Sequence, residues 1–256
     1  MRLIVDEYHP HNIVPGISVE SRFLIDILPQ PDDITCGPTC LHAVYRYFEK
    51  DISLNKVIKE VQSLEGGGTL AVYLGLHALD KGFRVRLYTY NLNVFDPTWF
   101  PGENNFLIEK LTEQLKYKKG AKFREATKAY LQFLSRKGEI FFEDLTTALL
   151  RKYLTRNTPI LTGLSATYLY NCARERERKD RLIYDDVRGE PTGHFVVLTG
   201  YDRETRHVWI ADPLKPNPLS KHAQYSIHVN RLVCAIMLGI LTYDANLLII
   251  EPKHGR

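Results

Sequence analysis

Apolar residues recur with a helical period in one part of this chain and with a strand pattern in another. After Cys36, apolar side chains return every three to four positions, as on one face of a helix. That stripe consists of Cys40, Leu41, Val44, Tyr45, Tyr47 and Phe48. The pattern predicts a buried helix that begins near Cys36, with Thr35 or Asp33 as the N-cap. Pro38 fits its first turn, where no backbone N–H is required.

Two runs rich in β-branched and aromatic residues lie far downstream, at residues 193–201 and 207–213. The polar residues 202–206 between them form a short connection, which predicts a hairpin. A turn centred on Arg203 would place His194 directly opposite Asp212. Opposed side chains on paired strands have Cβ atoms about 4.5 to 5.5 Å apart. The hairpin therefore predicts a contact between this imidazole and this carboxylate.

The rest of the chain alternates between helical and extended patterns. Residues 106–154 have a largely helical pattern, and residues 174–190 are dense in charges of both signs. Residues 225–228, 232–240 and 247–250 are mostly apolar, and we expect them to complete the sheet.

The start of the first helix is a suitable place for a reactive thiol. A cysteine attacks as its thiolate, and a helix N-terminus stabilises an anion with unpaired N–H groups and the positive end of the helix dipole. Cys36 occupies such a position, and Gln30 precedes it by six residues. Because Gln30 stands before Pro31, it is biased toward an extended conformation that lets its amide approach the Cys36 N–H. The two donors together would form an oxyanion hole.

The downstream pair adds a base to this nucleophile. An imidazole held by a carboxylate has a fixed tautomer and orientation, which suits proton transfer to and from a thiol. His194 is the expected base and Asp212 the residue that orients it. Taken alone, His194 would be interpreted as a histidine of the core and Asp212 as an aspartate that ends a strand.

These segments resemble the papain-like bacteriocin-leader (double-glycine) peptidases. The resemblance rests on Gln-x5-Cys-Gly-Pro-Thr-Cys at residues 30–40, His-Phe-Val-Val-Leu-Thr-Gly-Tyr at 194–201 and Ile-Ala-Asp-Pro at 210–213. It extends to Gly-Gly-Thr-Leu at 67–70, a helix near 73–83 and a strand near 158–161. The resemblance implies a papain-like α+β fold, with the nucleophile at a helix N-terminus packed on an antiparallel sheet. It also implies that Cys36 is the nucleophile, His194 the base, Asp212 its partner and Gln30 the oxyanion donor.

The chain departs from those exporter domains in two ways. It has no run of about 18 apolar residues that could cross a bilayer and no phosphate-binding Gly-x4-Gly-Lys-Ser/Thr loop, so we expect a stand-alone enzyme. We expect one domain over residues 1–256, with a helical insertion at about 104–155 and a charged loop at about 173–192. That loop could be an exposed, self-neutralising segment or a lid over the cleft. Cleavage after a double glycine does not follow from the resemblance.

Composition removes several classes of partner and ligand. The net charge of +4, from 34 basic and 30 acidic residues, is too small to indicate nucleic-acid or membrane binding. The acidic pair Asp6–Glu7 stands where a signal peptide would be apolar, which favours the cytoplasm. The other cysteines, Cys40, Cys172 and Cys234, are expected to be buried, since four cysteines do not make a disulfide framework. We expect neither a metal nor an organic cofactor.

The sequence thus predicts a cytoplasmic cysteine peptidase or amidase that cleaves a peptide or peptide-like amide through a thioester. Two alternatives remain open. A papain-like acyl or peptidyl transferase, similar to phytochelatin synthases, would use the same residues and pass the acyl group to an amine instead of water. A peptide-binding module without catalysis is the other alternative.

Overall fold

A large sheet with helices on both faces positions the predicted site. The computed structural model describes residues 21–64, 67–178 and 181–253, so the N-terminal segment that carries Asp6–Glu7 lies outside the described residues. The helices are α1 (Cys36–Tyr47), α2 (Leu54–Glu60), α3 (Ala71–Asp80), α4 (Asn104–Gln114), α5 (Ala121–Ser135), α6 (Thr147–Leu154), α7 (Ala166–Tyr170) and α8 (Val229–Leu238). Two 3₁₀ turns, Pro97–Trp99 and Gly239–Thr242, precede α4 and follow α8, respectively.

The strands form an eight-stranded sheet and a separate two-stranded hairpin. They are β1 (Ser21–Arg22), β2 (Phe83–Thr89), β3 (Glu139–Phe141), β4 (Ile160–Ser165), β5 (Glu175–Arg178), β6 (Arg181–Tyr184), β7 (Gly193–Asp202), β8 (His207–Ala211), β9 (Gln224–His228) and β10 (Asn246–Pro252). The order is β3-β2-β10-β4-β7-β8-β9, with β1 also paired to β7, and β5 and β6 form the separate two-stranded sheet. Every pair is antiparallel except β2 with β3.

Strand β7 shows how this sheet separates two apolar cores. Phe195 and Val197 pack into the core that contains α1, α3 and α5. Val196 and Leu198, which alternate with them, pack into the core that contains α6 and α8. This alternation follows from the two-residue period of a strand. The strand that carries His194 is therefore covered on both sides.

Helix α1 begins at Cys36, as predicted, and its first turn is pressed against the sheet. A Cβ atom on Gly37 would lie 2.6 Å from Cγ2 of Thr69 and 3.2 Å from Cδ2 of Phe195. Glycine therefore allows the close approach that fixes Cys36 against β7. Thr35 is the N-cap residue, although its side chain makes no capping hydrogen bond. The α+β class and the placement of a cysteine-bearing helix on a largely antiparallel sheet are confirmed.

Two predictions about individual segments were wrong, and the helical one at 104–155 was incomplete, since α4, α5 and α6 fill most of it. Residues 232–240 do not extend the sheet, because most of them belong to α8 and its 3₁₀ continuation. Inside the helical region, Glu139–Phe141 form β3, which adds a parallel strand to β2. The charged region expected to be a loop contains the antiparallel pair β5–β6. Each error concerns a segment whose neighbours in space decide its conformation.

Candidate active site

Cys36 and His194 come together where the start of α1 meets the start of β7. Cys36 is 8% exposed and His194 is 5% exposed, so both groups are largely shielded from water. The His194 Nε2 atom lies 2.9 Å from Oδ1 of Asp212, which leaves Nδ1 as the ring nitrogen available to Cys36. The structure thus brings the predicted nucleophile, base and carboxylate into one cluster.

The pairing of β7 with β8 differs from the predicted register. Leu198 lies opposite Ile210 instead of Val208, and a bulge at Thr199 shifts the register again. Ala211 pairs with Val197, so the next residue, Asp212, lies level with Val196. Val196 and His194 share one face of β7, so Asp212 lies diagonally across from His194 on that face. The predicted contact therefore forms, but across a diagonal. The difference arises at the turn: Asp202 pairs with His207, so the turn is centred between Glu204 and Thr205 instead of on Arg203. The bulge then moves the register one residue back toward the predicted one.

Asp212 is held by five hydrogen-bond donors. Its Oδ1 accepts from His194 Nε2 and from the Leu214 backbone N–H, at 2.9 and 3.0 Å. Its Oδ2 accepts from the hydroxyls of Tyr170 and Tyr225, at 2.8 and 2.7 Å, and from Asn217 Nδ2 at 2.9 Å. Burial of a carboxylate is costly unless its lone pairs are satisfied. This set of donors meets that condition and fixes the orientation of Asp212.

The three side chains that bind Oδ2 were missed by the sequence analysis. Tyr225 lies on a strand that was predicted, but only the tertiary structure selects it from the 15 tyrosines of the chain. Asn217 lies in a proline-rich segment after Asp212, and Tyr170 ends α7. Burial raises the pKa of both tyrosines, and the neighbouring Asp212 charge raises it further. Both phenols therefore remain protonated donors.

The electrostatics of the cluster favour an ion pair between His194 and Asp212. Burial lowers the pKa of His194, but the charge of Asp212, the hydrogen bond to it and the Cys36 side chain raise the pKa to about 10. Burial likewise raises the pKa of Asp212, yet His194 and the hydrogen-bond donors lower it overall. An imidazole in this setting can hold the proton that a thiol gives up.

Gln30 lies beside the same cleft and is connected to the segment after Asp212. Its backbone N–H donates to the Pro213 carbonyl at 2.9 Å. Its side-chain Nε2 donates to the Asp32 carbonyl at 2.8 Å, which uses one of its two N–H groups. Oε1 of Gln30 is buried and has no hydrogen-bond partner among the described residues. The side chain is thus oriented by a local contact and retains a second N–H.

The other cysteines differ from one another in burial. Cys40 is fully buried, donates its thiol to the Phe195 carbonyl at 3.2 Å, and has a pKa raised mainly by burial. Cys172 is half-buried and Cys234 is exposed, so the expectation that both are buried was wrong. Cys234 projects from the outer side of α8, a helix that the sequence analysis did not predict. Helical periodicity at that segment would have predicted its exposure.

A second buried carboxyl group lies next to the residue that precedes His194. A Cβ atom on Gly193 would collide with Oδ2 of Asp244, so glycine is required at this contact. Burial raises the pKa of Asp244 to about 7, although Thr242 and the positive charges of Lys122 and His194 oppose that shift. Asp244 thus titrates near neutral pH, and its charge acts on His194.

We expect Asp244→Asn to change how stability depends on pH. The carboxyl pKa is about 3.9 in an unfolded chain. Because the folded pKa is higher, this group's favourable contribution is fully present below pH 4 and is lost as the pH rises through 7. The melting temperature of Asp244→Asn relative to wild type should therefore increase from pH 5 to pH 8. The exposed Asp51→Asn is the matched control, and a pH-independent difference for Asp244→Asn would contradict the assignment.

Within the described ranges, no helix is long and apolar enough to cross a membrane. The same part of the chain contains no group of three or more His, Cys, Asp or Glu side chains arranged to hold a metal ion.

Comparison with known proteins gives a family match and several similar structures. A family model described as "Peptidase_C39 like family" matches residues 24–231. No curated protein matches the chain. A double glycine motif protease from the AMS/PCAT transporter, solved in complex with the leader peptide, is 16% identical with a TM-score of 0.41, covering 93% of this chain and 97% of that chain.

Two other solved structures have similar values. The peptidase domain of Streptococcus ComA, a bi-functional ABC transporter involved in a quorum-sensing pathway, is 14% identical with a TM-score of 0.42, covering 90% of this chain and 100% of that chain. Xylellain, a cysteine protease from Xylella fastidiosa, is 14% identical with a TM-score of 0.40, covering 91% and 86%.

Proposed function

The chain belongs to the Peptidase_C39-like family and is a cysteine-type peptidase, and from that premise we propose that it cleaves an amide bond of a peptide or peptide-like substrate through Cys36, His194 and Asp212. The observation that carries this proposal is the buried hydrogen bond between His194 and Asp212 beside Cys36. In our proposal Gln30 supplies one of two oxyanion donors.

The first half of the proposed reaction forms a thioester. Cys36 passes its proton to His194 Nδ1, and the resulting thiolate attacks the substrate carbonyl carbon. The oxyanion that develops is stabilised by the Cys36 backbone N–H and the free N–H of the Gln30 amide. His194 then donates its proton to the departing amine as the carbon–nitrogen bond breaks.

The second half releases the acyl group. His194 removes a proton from water, the hydroxide oxygen attacks the thioester, and the thiolate leaves and recovers its proton from His194. Asp212 keeps its charge throughout and stabilises the imidazolium that forms in both halves. The five donors around Asp212 support this role, because they hold its carboxylate ionised and fixed.

Alkylation and turnover of Gln30→Ala together test this mechanism. Iodoacetamide at pH 6 should modify Cys36 before Cys40 and Cys172, whose pKa values are raised by burial, in a Cys234→Ser background that removes the exposed thiol.

Gln30→Ala should lower kcat by about a hundredfold with little change in KM, as for loss of one oxyanion donor. Its alkylation rate should match the parent protein, because displacement of iodide builds no oxyanion.

The two measurements separate three outcomes. Loss of turnover with normal alkylation supports an oxyanion role for Gln30. Loss of both would mean that the substitution disturbs the start of α1, and unchanged turnover would make Gln30 an ordinary loop residue. Alkylation of Cys36 no faster than that of Cys40 would contradict the nucleophile assignment itself.

A further inference from the structure

A cavity of about 320 Å³ opens beside His194 and is not used by the mechanism described above. Gln30 and His194 form part of its lining, and Cys36 is not among the described residues that line it. Its opposite wall is provided by the β5–β6 hairpin. The cavity thus touches the proposed oxyanion donor and the proposed proton donor, but not the nucleophile.

The position of the cavity indicates which part of the substrate would occupy it. In the proposed reaction the acyl part of the substrate becomes bonded to Cys36, whereas the departing amine must lie close enough to His194 to take its proton. A space that adjoins the imidazole and Gln30 without touching Cys36 is therefore on the side of the departing amine. Residues that follow the scissile bond would occupy it.

One wall of the cavity is apolar, whereas Asp33, Glu175 and Lys215 add charged groups to the rest of the lining. Strand β6 contributes Leu182, Ile183 and Tyr184, and the segment after Asp212 contributes Leu214, Pro216 and Pro218. Leu182 is 51% exposed and Tyr184 is 62% exposed, so these large side chains present apolar surface to the opening. Covering such surface with an apolar side chain is favourable, and the gain scales with the area removed from water.

The hairpin is held in place by its own contacts. Arg176 and Arg188 both contact Oδ2 of Asp185 at 2.8 Å. Glu175 exchanges backbone hydrogen bonds with Glu190 at 3.0 and 2.7 Å, and its carboxylate accepts from the Thr192 hydroxyl at 3.0 Å. Thr192 precedes His194 by two residues. The wall is therefore anchored to the segment that leads directly into the strand with the proposed base.

We propose that this cavity is the subsite for the departing side of the substrate and selects an aliphatic or aromatic side chain in the first two residues after the scissile bond. This inference rests on the proposed function and deepens it by naming a substrate class. It makes the β5–β6 hairpin a specificity element. The apolar wall formed by β6 and by the segment after Asp212 carries it, together with the position of the cavity beside His194 and Gln30.

Cleavage of a proteome-derived peptide library tests the assignment without knowledge of the natural substrate. New N-termini that form with wild type and are absent with Cys36→Ala report this site alone. We expect apolar residues at the first or second position of those termini to be enriched about tenfold over Gly and Ser, the scale of selectivity that one apolar pocket provides. In Leu182→Thr/Tyr184→Thr the enrichment should fall to about twofold or less.

Val187→Thr is the matched control. Val187 follows the same hairpin, is 78% exposed and does not line the cavity, so its replacement should leave the enrichment unchanged. Threonine retains strand propensity at the two β6 positions, Leu182 and Tyr184. The side-chain preference at the N-termini that wild type produces is a second readout, and it does not depend on whether the double variant folds.

The possible results separate the subsite from the mechanism. Cys36-dependent cuts with no side-chain preference after the scissile bond would overturn the subsite and leave the peptidase mechanism standing. An apolar preference that persists in a folded double variant would likewise overturn it. An absence of Cys36-dependent cuts would overturn the proposed hydrolysis, and the subsite with it.

Discussion

Cys36→Ala is expected to abolish peptide turnover and the thioester intermediate. Alanine offers no atom that can form the covalent bond, and the remaining groups provide only weak catalysis by positioning and hydrogen bonding. A fall of at least about 10⁴-fold in kcat/KM is expected for loss of a nucleophile. Intact-protein mass spectrometry of a rapidly quenched reaction should show an acyl adduct on wild type and none on the variant.

Cys40→Ala provides the control for this substitution, since Cys40 lies one turn further along α1. Its buried thiol donates to the Phe195 carbonyl and takes no part in the proposed reaction. Removal of the sulfur should lower stability by leaving a small cavity while turnover stays near the parent value. Turnover by Cys36→Ala within tenfold of wild type would rule out Cys36 as the nucleophile.

Asp212→Asn should produce the second largest defect, a fall of about 10³ to 10⁴ in kcat. The neutral amide no longer stabilises the imidazolium. An amide nitrogen turned toward His194 would also reverse the tautomer and place the ring proton on the side that must act as base. The amide must in addition meet the donors from Tyr170 and Tyr225, so some loss of stability should accompany the kinetic defect.

Asp202→Asn is the control for Asp212→Asn, because it removes a different carboxylate from the same β7–β8 hairpin. Asp202 accepts backbone hydrogen bonds from Glu204 and Thr205, a role that an asparagine oxygen can also fill. Its kcat should stay within about threefold of wild type, in line with surface substitutions in general. Full activity in a folded Asp212→Asn variant would show that this carboxylate does not orient the base.

The first helix could be predicted because its signals are local. Cys36, Pro38 and the apolar stripe lie within about three turns of one helix, so propensity, helix start and burial act on the same short segment. The proximity of His194 and Asp212 could also be predicted, since a hairpin brings together residues that are near in sequence. The register was wrong because the turn is centred between Glu204 and Thr205 instead of on Arg203, and the polar residues 202–206 contain no signal that fixes the centre of the turn.

Segments shaped by distant contacts could not be read in the same way. The buried residues of α8, Val229, Leu232, Ala235 and Ile236, follow helical spacing, yet the surrounding run of apolar residues also fits a buried strand. The donors around Asp212 come from α7, β9 and the segment between β8 and β9. No pattern along the chain selects those residues, because only the packing of the sheet against α7 brings them together.

The hydrogen bond from the Gln30 N–H to the Pro213 carbonyl has a bearing on inhibitor design. It connects the residue proposed to bind the oxyanion with the segment directly after Asp212. A compound that wedges beneath the Gln30 loop would therefore strain the support of the carboxylate as well. A single substitution in that loop that gives resistance would have to preserve both the position of the oxyanion donor and the support of Asp212.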